Sequence, residues 1–190
     1  MTSPTTAFAP MAPEWAVDDW LNTDTPLSLD ALRGRVVVLL SFQMLCPGCV
    51  AQALPQASRV HAAFPRDEVA MVGLHTVFEH HEAMTPAALR AFVHEYRLTF
   101  PIGIDRPVAG QSIPTTMRAY AMHGTPTWTL IDRDGRVRAQ HFGELDPLRL
   151  GAQIGLLMAE RGGDATDIAA AEASIATGCA DGACAVPAHA

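Results

Sequence analysis

Ser41-Phe42-Gln43-Met44-Leu45-Cys46-Pro47-Gly48-Cys49 is the stretch that decides the fold of this chain. The apolar, mostly β-branched run Val36 to Leu40 comes just before it and predicts a buried parallel strand. The residues after it have a helical pattern of apolar positions. The two cysteines are therefore predicted to lie at the junction between a buried strand and the first turn of a helix.

A cysteine at the start of a helix is a candidate nucleophile. Unpaired backbone N–H groups and the positive end of the helix dipole stabilise a thiolate there. This placement and the Cys-x-x-Cys spacing lower a thiol pKa from about 8.5 to roughly 3.5–7.5. Cys46 falls at the predicted N-cap and is expected to be the exposed nucleophile, whereas Cys49, one turn later, is expected to be more buried. Pro47 suits the first helical position, and Gly48 leaves room for a partner's backbone.

Two other interpretations of this cysteine pair remain open. Cys46 and Cys49 form half of a zinc site if Cys179 and Cys184 supply the other half. Alternatively, they are two inert core cysteines. The junction between strand and helix favours redox chemistry over both, because the sequence has no second Cys-x-x-Cys and because Pro-Gly separates the two thiols.

A second motif, Gly124-Thr125-Pro126-Thr127, precedes another apolar strand, Trp128 to Ile131. Together with the Cys-x-x-Cys it resembles the TlpA-like redoxins, thioredoxin-fold thiol–disulfide oxidoreductases related to the AhpC/TSA family. The resemblance covers about residues 26–158. It implies an α/β, thioredoxin-like fold with a central mixed sheet flanked by helices. It also implies a cis Thr125–Pro126 bond beside the cysteines, with the Thr125 backbone available to an extended substrate.

The composition limits the class of function. A chain of 190 residues fits one domain with tails, and its hydrophobic fraction of 49% is enough for a substantial core. The formal net charge is −7 and no basic stripe occurs, so nucleic acid is not expected as a partner. The longest apolar run is too short to span a bilayer, so membrane insertion is not expected either.

We expect three segments along the chain: a disordered N-terminus (1–13), a redoxin domain (14–160) and a flexible Ala/Gly-rich tail (161–190). The N-terminus has neither a basic region nor a continuous apolar core, so a signal peptide is not predicted and a cytoplasmic location is expected. Many TlpA-like relatives are exported or membrane-anchored instead. In the cytoplasm a Cys-x-x-Cys is more often catalytic than structural.

The hydrophobic pattern also predicts the elements of the domain. They are a helix to about Phe64 kinked at Pro55, a strand Val69–Val77, a helix from Thr85 to about Arg97, a short strand at 100–105, a short helix at 114–121, a hairpin of 128–131 and 136–142, and a closing helix at 146–160. This alternation predicts a mainly parallel sheet with an antiparallel edge. Trp15 and Trp20 are expected to cover the core.

The usual partners of a thioredoxin cysteine pair are replaced in this sequence. Thioredoxins proper carry a buried aspartate six residues before the first cysteine and a tryptophan immediately before it; Leu40 and Leu45 occupy these positions. TlpA-like relatives use a glutamate after the second strand, for which Glu79 is the best match and Glu82 the second. Such a carboxylate would take the proton of Cys49 during exchange. The alternative is that both are solvated loop carboxylates.

His75, His80 and His81 form a local cluster with three possible interpretations. They could bind a metal together with Glu79. Alternatively, a protonated His75 or His80 could lower the pKa of the nearby thiol. The simplest interpretation is exposed loop histidines, and no metal or cofactor is predicted.

The tail carries a second pair of cysteines, Cys179 and Cys184. If Asp181-Gly182 is a two-residue turn, these cysteines face each other with Cα atoms about 4.5 Å apart, within disulfide range. The pair could pass electrons to the Cys46–Cys49 disulfide, bind a metal with His189, or have no role. We favour the electron shuttle, because an accessible turn suits a reversible disulfide.

The leading functional hypothesis is a thiol–disulfide oxidoreductase. Cys46 attacks a disulfide, Cys49 resolves the mixed disulfide, and Pro126 shapes the substrate groove. The expected partners are protein or low-molecular-weight disulfides and a thiol electron donor.

Two alternatives come from other classes. One is an antioxidant peroxide reductase of the alkyl-hydroperoxide-reductase type, with Cys46 as the peroxidatic cysteine. Leu39 and Gln43 replace the proline and hydroxyl residue of the peroxiredoxin motif, which weakens this hypothesis, although Gln43 could donate a hydrogen bond to peroxide. The other is a non-catalytic redoxin domain that binds zinc or a partner.

Overall fold

A computed structural model describes residues 9–160 of the chain. The strands are β1 (Val17–Leu21), β2 (Val36–Phe42), β3 (Val69–His75), β4 (Ile102–Asp105), β5 (Thr127–Ile131) and β6 (Val137–Phe142). The helices are α1 (Leu54–Ala63), α2 (Pro86–Glu95), α3 (Thr115–Ala119) and α4 (Pro147–Ala159), with a π-helical turn at Cys49–Ala53 and a 3-10 turn at Asp30–Leu32. Within the described range, no helix has the length and apolar character needed to cross a bilayer.

The six strands form one sheet in the order β1-β4-β3-β2-β5-β6. The pairs β2–β3 and β3–β4 are parallel, whereas β1–β4, β2–β5 and β5–β6 are antiparallel. The predicted central mixed sheet is confirmed. The prediction of a mainly parallel sheet with an antiparallel edge is wrong, because three of the five strand pairs are antiparallel; β1, which was not predicted as a strand, forms one of them.

Strand β2 is the centre of the molecule. All seven of its residues are buried, and it pairs with a strand on each side. Since side chains alternate between the faces of a strand, β2 contributes to two cores. Val36, Val38, Leu40 and Phe42 pack in the core that includes residues of α1, α2 and α4, and Val37 and Leu39 pack in the core that includes residues of α3. The segment that follows β2 therefore starts from a rigid support.

Residues 9–13 correct the prediction that the first thirteen residues are disordered. The N–H of Val137 donates to the Pro10 carbonyl at 2.9 Å, and Met11 forms an antiparallel bridge with Arg136. Prolines suit this edge position because they use only their carbonyl groups there. The segment thus pairs with the start of β6.

Trp15 and Trp20 cover the second core, as predicted. Their ring centroids are 6.1 Å apart. The Trp15 indole N–H donates to the Tyr120 hydroxyl at 3.1 Å, and that hydroxyl donates to the Pro13 carbonyl at 2.7 Å. The segment that contains Pro13 and Trp15, before β1, is therefore fixed by hydrogen bonds to Tyr120, the C-cap residue of α3.

Pro55 changes the helical hydrogen-bond pattern. A proline has no N–H to donate to the carbonyl four residues earlier, and its ring crowds that carbonyl. The turn just before Pro55, Cys49–Ala53, is π-helical, and the Leu54 N–H donates to the Cys49 carbonyl. The structure therefore has a widened turn before α1 where the sequence predicted a kinked helix.

Replacing Asp146 by alanine is expected to lower the free energy of unfolding by about 1 kcal/mol. The Asp146 side chain accepts the N–H of Arg149 at 2.9 Å and caps α4, the closing helix that the sequence predicted. Urea unfolding would measure the loss. The control Asp146→Asn keeps the acceptor and should retain most of the stability; equal losses in both variants would contradict the capping role.

Candidate active site

Cys46 lies directly before a helical segment that begins at Pro47 and continues through the π-helical turn into α1. The Cys49 N–H lies 3.4 Å from the Cys46 Sγ, and the Val50 N–H donates to the Cys46 carbonyl at 3.0 Å. The sulfur thus occupies the place of a capping oxygen, at the predicted N-cap. Cys46 is partly exposed, and its neighbour Leu45 is 55% exposed. A substrate can therefore reach the Cys46 sulfur.

Cys49 is fully buried, so the two cysteines differ in exposure as the sequence predicted. Burial raises the pKa of the Cys49 thiol to about 12, and the adjacent Cys46 side chain adds to the increase. Hydrogen bonds with the Gln43 backbone and the Thr125 side chain act in the opposite direction. At neutral pH Cys49 is therefore a protonated thiol, which must lose its proton before it can attack a disulfide.

The Thr125–Pro126 bond is cis, as the family resemblance implied. This loop lies beside the cysteines, with the Thr125 carbonyl 3.4 Å from the Cys46 Sγ. A Cβ on Gly48 would lie 3.6 Å from the Pro126 Cδ, so the proline ring packs close to the Cys-Pro-Gly-Cys turn. The two sequence motifs thus meet at one site.

Glu79 is exposed but held in place. Its Oε1 accepts a hydrogen bond from the Gln43 Nε2 at 3.2 Å. Glu79 is therefore not a freely solvated loop carboxylate, whereas the exposed Glu82 fits that alternative. Because the Gln43 carbonyl accepts the Cys46 N–H at 3.2 Å, Glu79 is connected to the Cys46–Cys49 turn through a single residue.

Gln43 is the site residue whose role the sequence did not reveal. Its side chain is 1% exposed. Its Oε1 accepts a hydrogen bond from the Phe78 N–H at 3.3 Å, and its Nε2 donates one to the Glu79 carboxylate. In the peroxide-reductase alternative this amide could donate to peroxide; in the structure its oxygen accepts from Phe78 and one of its N–H groups donates to Glu79. The available signal was a polar residue directly after a strand that is apolar except for Ser41.

His75 does not act as a protonated partner of the thiolate. It is 1% exposed, and its ring centroid lies 5.4 Å from that of Phe42. Burial lowers the pKa of His75 to about 4, so the imidazole is neutral at pH 7. His80 and His81 are exposed, and among residues 9–160 no three His, Cys, Asp or Glu side chains are grouped to hold a metal ion.

Acid should destabilise the protein through His75. Its pKa is about 4 when folded and 6.5 in the reference state, so the unfolded chain binds more protons between these values. The stability contributed by the neutral imidazole is present above pH 6.5 and decreases as the pH falls toward 4. Urea unfolding of wild type and His75→Gln across this range would measure it. Identical slopes against pH would contradict this assignment.

Three tail residues with predicted redox or metal-binding roles lie outside the described residues: Cys179, Cys184 and His189. The electron shuttle, the zinc site shared with Cys46 and Cys49, and the boundary of the tail therefore stay predictions.

Comparisons with known proteins agree with this geometry. The model of the AhpC/TSA family matches residues 9–140. The thiol–disulfide oxidoreductase ResA of Bacillus thuringiensis is 30% identical over 133 residues, which are 70% of this chain and 68% of that protein. Protein DipZ of Mycobacterium bovis is 30% identical over 132 residues, which are 68% of this chain but only 18% of DipZ.

Two solved structures have a higher sequence identity with the chain than ResA and DipZ have. A thioredoxin-like superfamily protein is 55% identical with a TM-score of 0.79, covering 80% of this chain and 99% of its own. A thiol-disulfide isomerase from Corynebacterium glutamicum is 46% identical with a TM-score of 0.78, covering 82% and 99%. The predicted thioredoxin-like fold is confirmed, and the matches support the predicted class of enzyme, a thiol–disulfide oxidoreductase.

Proposed function

The chain belongs to the AhpC/TSA family, and from that premise we propose that it is a thiol–disulfide oxidoreductase whose redox pair is Cys46 and Cys49. The observation that carries the proposal is the position of the Cys46 sulfur. It caps a helix, is partly exposed, and lies 3.4 Å from the carbonyl of Thr125 in the cis-proline loop. A thiolate at this place is stabilised by the Cys49 N–H and by the positive end of the helix dipole, and a substrate can approach its exposed side.

The first chemical step is attack by Cys46. Its thiolate attacks one sulfur of a substrate disulfide, so a bond forms between Cys46 and that sulfur. The other substrate sulfur leaves as a thiolate and takes a proton from water. The Cys49 N–H that faces the Cys46 sulfur stabilises the thiolate before the attack.

The second step releases the substrate. Cys49 gives its proton to Glu79 and attacks the Cys46 sulfur, which forms the Cys46–Cys49 disulfide. The bond between Cys46 and the substrate breaks, and the second substrate sulfur leaves as a thiolate. Two electrons have then passed from the protein to the substrate, and a thiol donor must reduce the new disulfide.

The surface around Cys46 supports a protein substrate. Leu45 is 55% exposed and Phe142 is 61% exposed. The Phe142 ring lies against Gly124, where an added Cβ would come within 2.8 Å of the ring. An extended segment that pairs with the Thr125 backbone would meet apolar side chains here. Protein disulfides with apolar neighbours are therefore the proposed substrate class, with small disulfides as accessory substrates.

Recycling through the tail is a further part of the proposal. It rests on the sequence pattern of Cys179 and Cys184, two cysteines on either side of a predicted turn. Cys179→Ser is expected to slow reduction of the Cys46–Cys49 disulfide by the physiological reductant, whereas the neighbouring control Ala180→Ser should not. Unchanged recycling in Cys179→Ser would exclude the shuttle. The cytoplasmic location stays a prediction from the sequence.

A comparison of two oxidants tests the proposed reaction. Reduced wild type and Cys46→Ser are mixed with insulin or with hydrogen peroxide, and the loss of thiols is followed. Fast loss with insulin that depends on Cys46, and slow loss with peroxide, are expected. Fast Cys46-dependent consumption of peroxide would contradict the proposal and favour a peroxide reductase. Absence of both reactions would favour a binding domain, which a zinc assay would then examine.

A further inference from the structure

Gln43 joins the three parts of the proposed site. Its backbone carbonyl accepts the Cys46 N–H at 3.2 Å, and its backbone also lowers the pKa of the Cys49 thiol, against the effect of burial. Its side chain reaches the loop after β3, where it accepts the Phe78 N–H and donates to the Glu79 carboxylate. Gln43 and Glu79 are 36 positions apart in sequence, and their hydrogen bond connects the segment that leads to Cys46 with the loop after β3.

From these contacts we propose that Gln43 is a positioning residue, which holds the Glu79 carboxylate where it receives the proton of Cys49. The inference rests on the proposed function and assigns a residue to its second step. In that step the Cys49 S–H bond breaks and the proton passes to Glu79. A Cys49–Cys46 bond forms, and the bond between Cys46 and the substrate breaks as the substrate thiolate leaves.

The chemistry of glutamine fits this role. A primary amide offers an acceptor and a donor in one planar group, and this amide uses both. Its Oε1 is fixed by the Phe78 N–H at 3.3 Å, which orients the Nε2 toward the Glu79 Oε1 at 3.2 Å. The residue is 1% exposed, so water competes little for these two hydrogen bonds.

Glu79 needs such a partner because it is exposed. A glutamate side chain on a loop has several rotamers, and fixing one of them in advance removes an entropic cost from the proton transfer. The receiving group must also be well placed, since the thiol that it deprotonates is buried and keeps its proton at neutral pH. The Gln43 hydrogen bond supplies the first of these requirements, because it already fixes the Glu79 carboxylate in the structure.

Gln43→Met tests the inference. Methionine has a similar size, but it has no amide to accept the hydrogen bond from the Phe78 N–H or to donate one to the Glu79 carboxylate. The full chain is used with Cys179→Ser and Cys184→Ser in all samples, so that the tail thiols do not react. Rapid mixing with glutathione disulfide separates the formation of the mixed disulfide at Cys46 from its resolution by Cys49. We expect unchanged formation and about tenfold slower resolution. Glu79→Gln should slow resolution by about a hundredfold.

Two comparisons separate positioning from a general loss of structure. In the Glu79→Gln background, Gln43→Met should slow resolution by less than about twofold, because the group that it positions is already lost. The control is Gln56→Met, which removes another buried glutamine amide, on α1, and should leave both steps unchanged. If Gln43→Met does not fold, Gln43→Glu takes its place, since it retains the acceptor for Phe78 and sets a second carboxylate against Glu79.

The outcomes distinguish this inference from the proposed function. If the parent protein forms no mixed disulfide at Cys46, the proposed function is wrong. If the parent forms and resolves it, and Gln43→Met resolves it at the parental rate, the inference alone is overturned. A full tenfold effect of Gln43→Met in the Glu79→Gln background would also overturn it, because Gln43 would then act independently of Glu79.

Discussion

Replacing Cys46 by serine is expected to reduce disulfide reduction by at least about a thousandfold. A serine hydroxyl stays protonated at neutral pH and cannot replace the thiolate as a nucleophile. The substitution should leave the fold intact, because a serine oxygen can accept the Cys49 N–H that the sulfur faces now. Insulin reduction with a small dithiol as the donor would measure the rate, and circular dichroism would check the fold.

Cys49→Ser is the matched variant for this experiment. It keeps the Cys46 nucleophile and removes only the second thiol, so mixed disulfides should form and then accumulate. The contrast between the two variants assigns the order of attack to particular sulfurs. A Cys46→Ser protein that retains more than about a tenth of the wild-type rate would contradict the assigned nucleophile.

Replacing Phe42 by alanine is expected to lower the free energy of unfolding by about 3–5 kcal/mol. Phe42 is the last residue of β2 and is completely buried, with its ring against that of His75 and close to Gly73. An added Cβ on Gly73 would come within 3.3 Å of the Phe42 ring, so little space remains around it. Removing the ring would leave a cavity directly beneath the segment that leads to Cys46.

Phe142→Ala is the control for this substitution. Phe142 has the same side chain but is 61% exposed at the end of β6, so its loss should cost less than about 1 kcal/mol. Urea unfolding of both variants at pH 7 would measure the difference. Equal losses of stability would contradict the assignment of Phe42 to the core.

The centre of the fold could be predicted because its signals are local and strong. Val36 to Leu40 is a continuous apolar run, and a strand with such a run must be buried on both faces. Strand β1 gives no such signal. Asp18 and Asp19 interrupt it, and its residues are exposed or only partly buried at the edge of the sheet. Its pairing with β4 depends on the tertiary structure rather than on its own sequence.

The candidate site also has parts that the sequence reveals and parts that only the structure reveals. Cys46, Cys49 and Pro126 belong to short motifs that can be recognised in the sequence, and the structure brings these motifs together. The hydrogen bond between Gln43 and Glu79 joins residues from two different segments, so it depends on how the loop after β3 folds back. The sequence offered Glu79 only through the family resemblance and gave Gln43 another role.

His75 shows the limit of reasoning from a local cluster. Next to His80 and His81 in the sequence, it was grouped with loop histidines that could carry a charge. It is in fact the last residue of β3 and faces the core beside Phe42, where burial keeps the imidazole neutral. The side of a strand on which a residue lies, and so its charge, follows from register, which the sequence left open here.

The most direct test of the central claim is the intact mass of two proteins after brief exposure to glutathione disulfide. Both carry Cys179→Ser and Cys184→Ser, and one also carries Cys49→Ser. The variant with Cys49→Ser should accumulate one glutathione adduct, located at Cys46 by peptide mapping. The protein with both Cys46 and Cys49 should end without an adduct and lighter by two hydrogens, as expected for a Cys46–Cys49 disulfide. An adduct on Cys49 in the protein that retains it, or no change of mass in either protein, would contradict the claim that Cys46 attacks and Cys49 resolves.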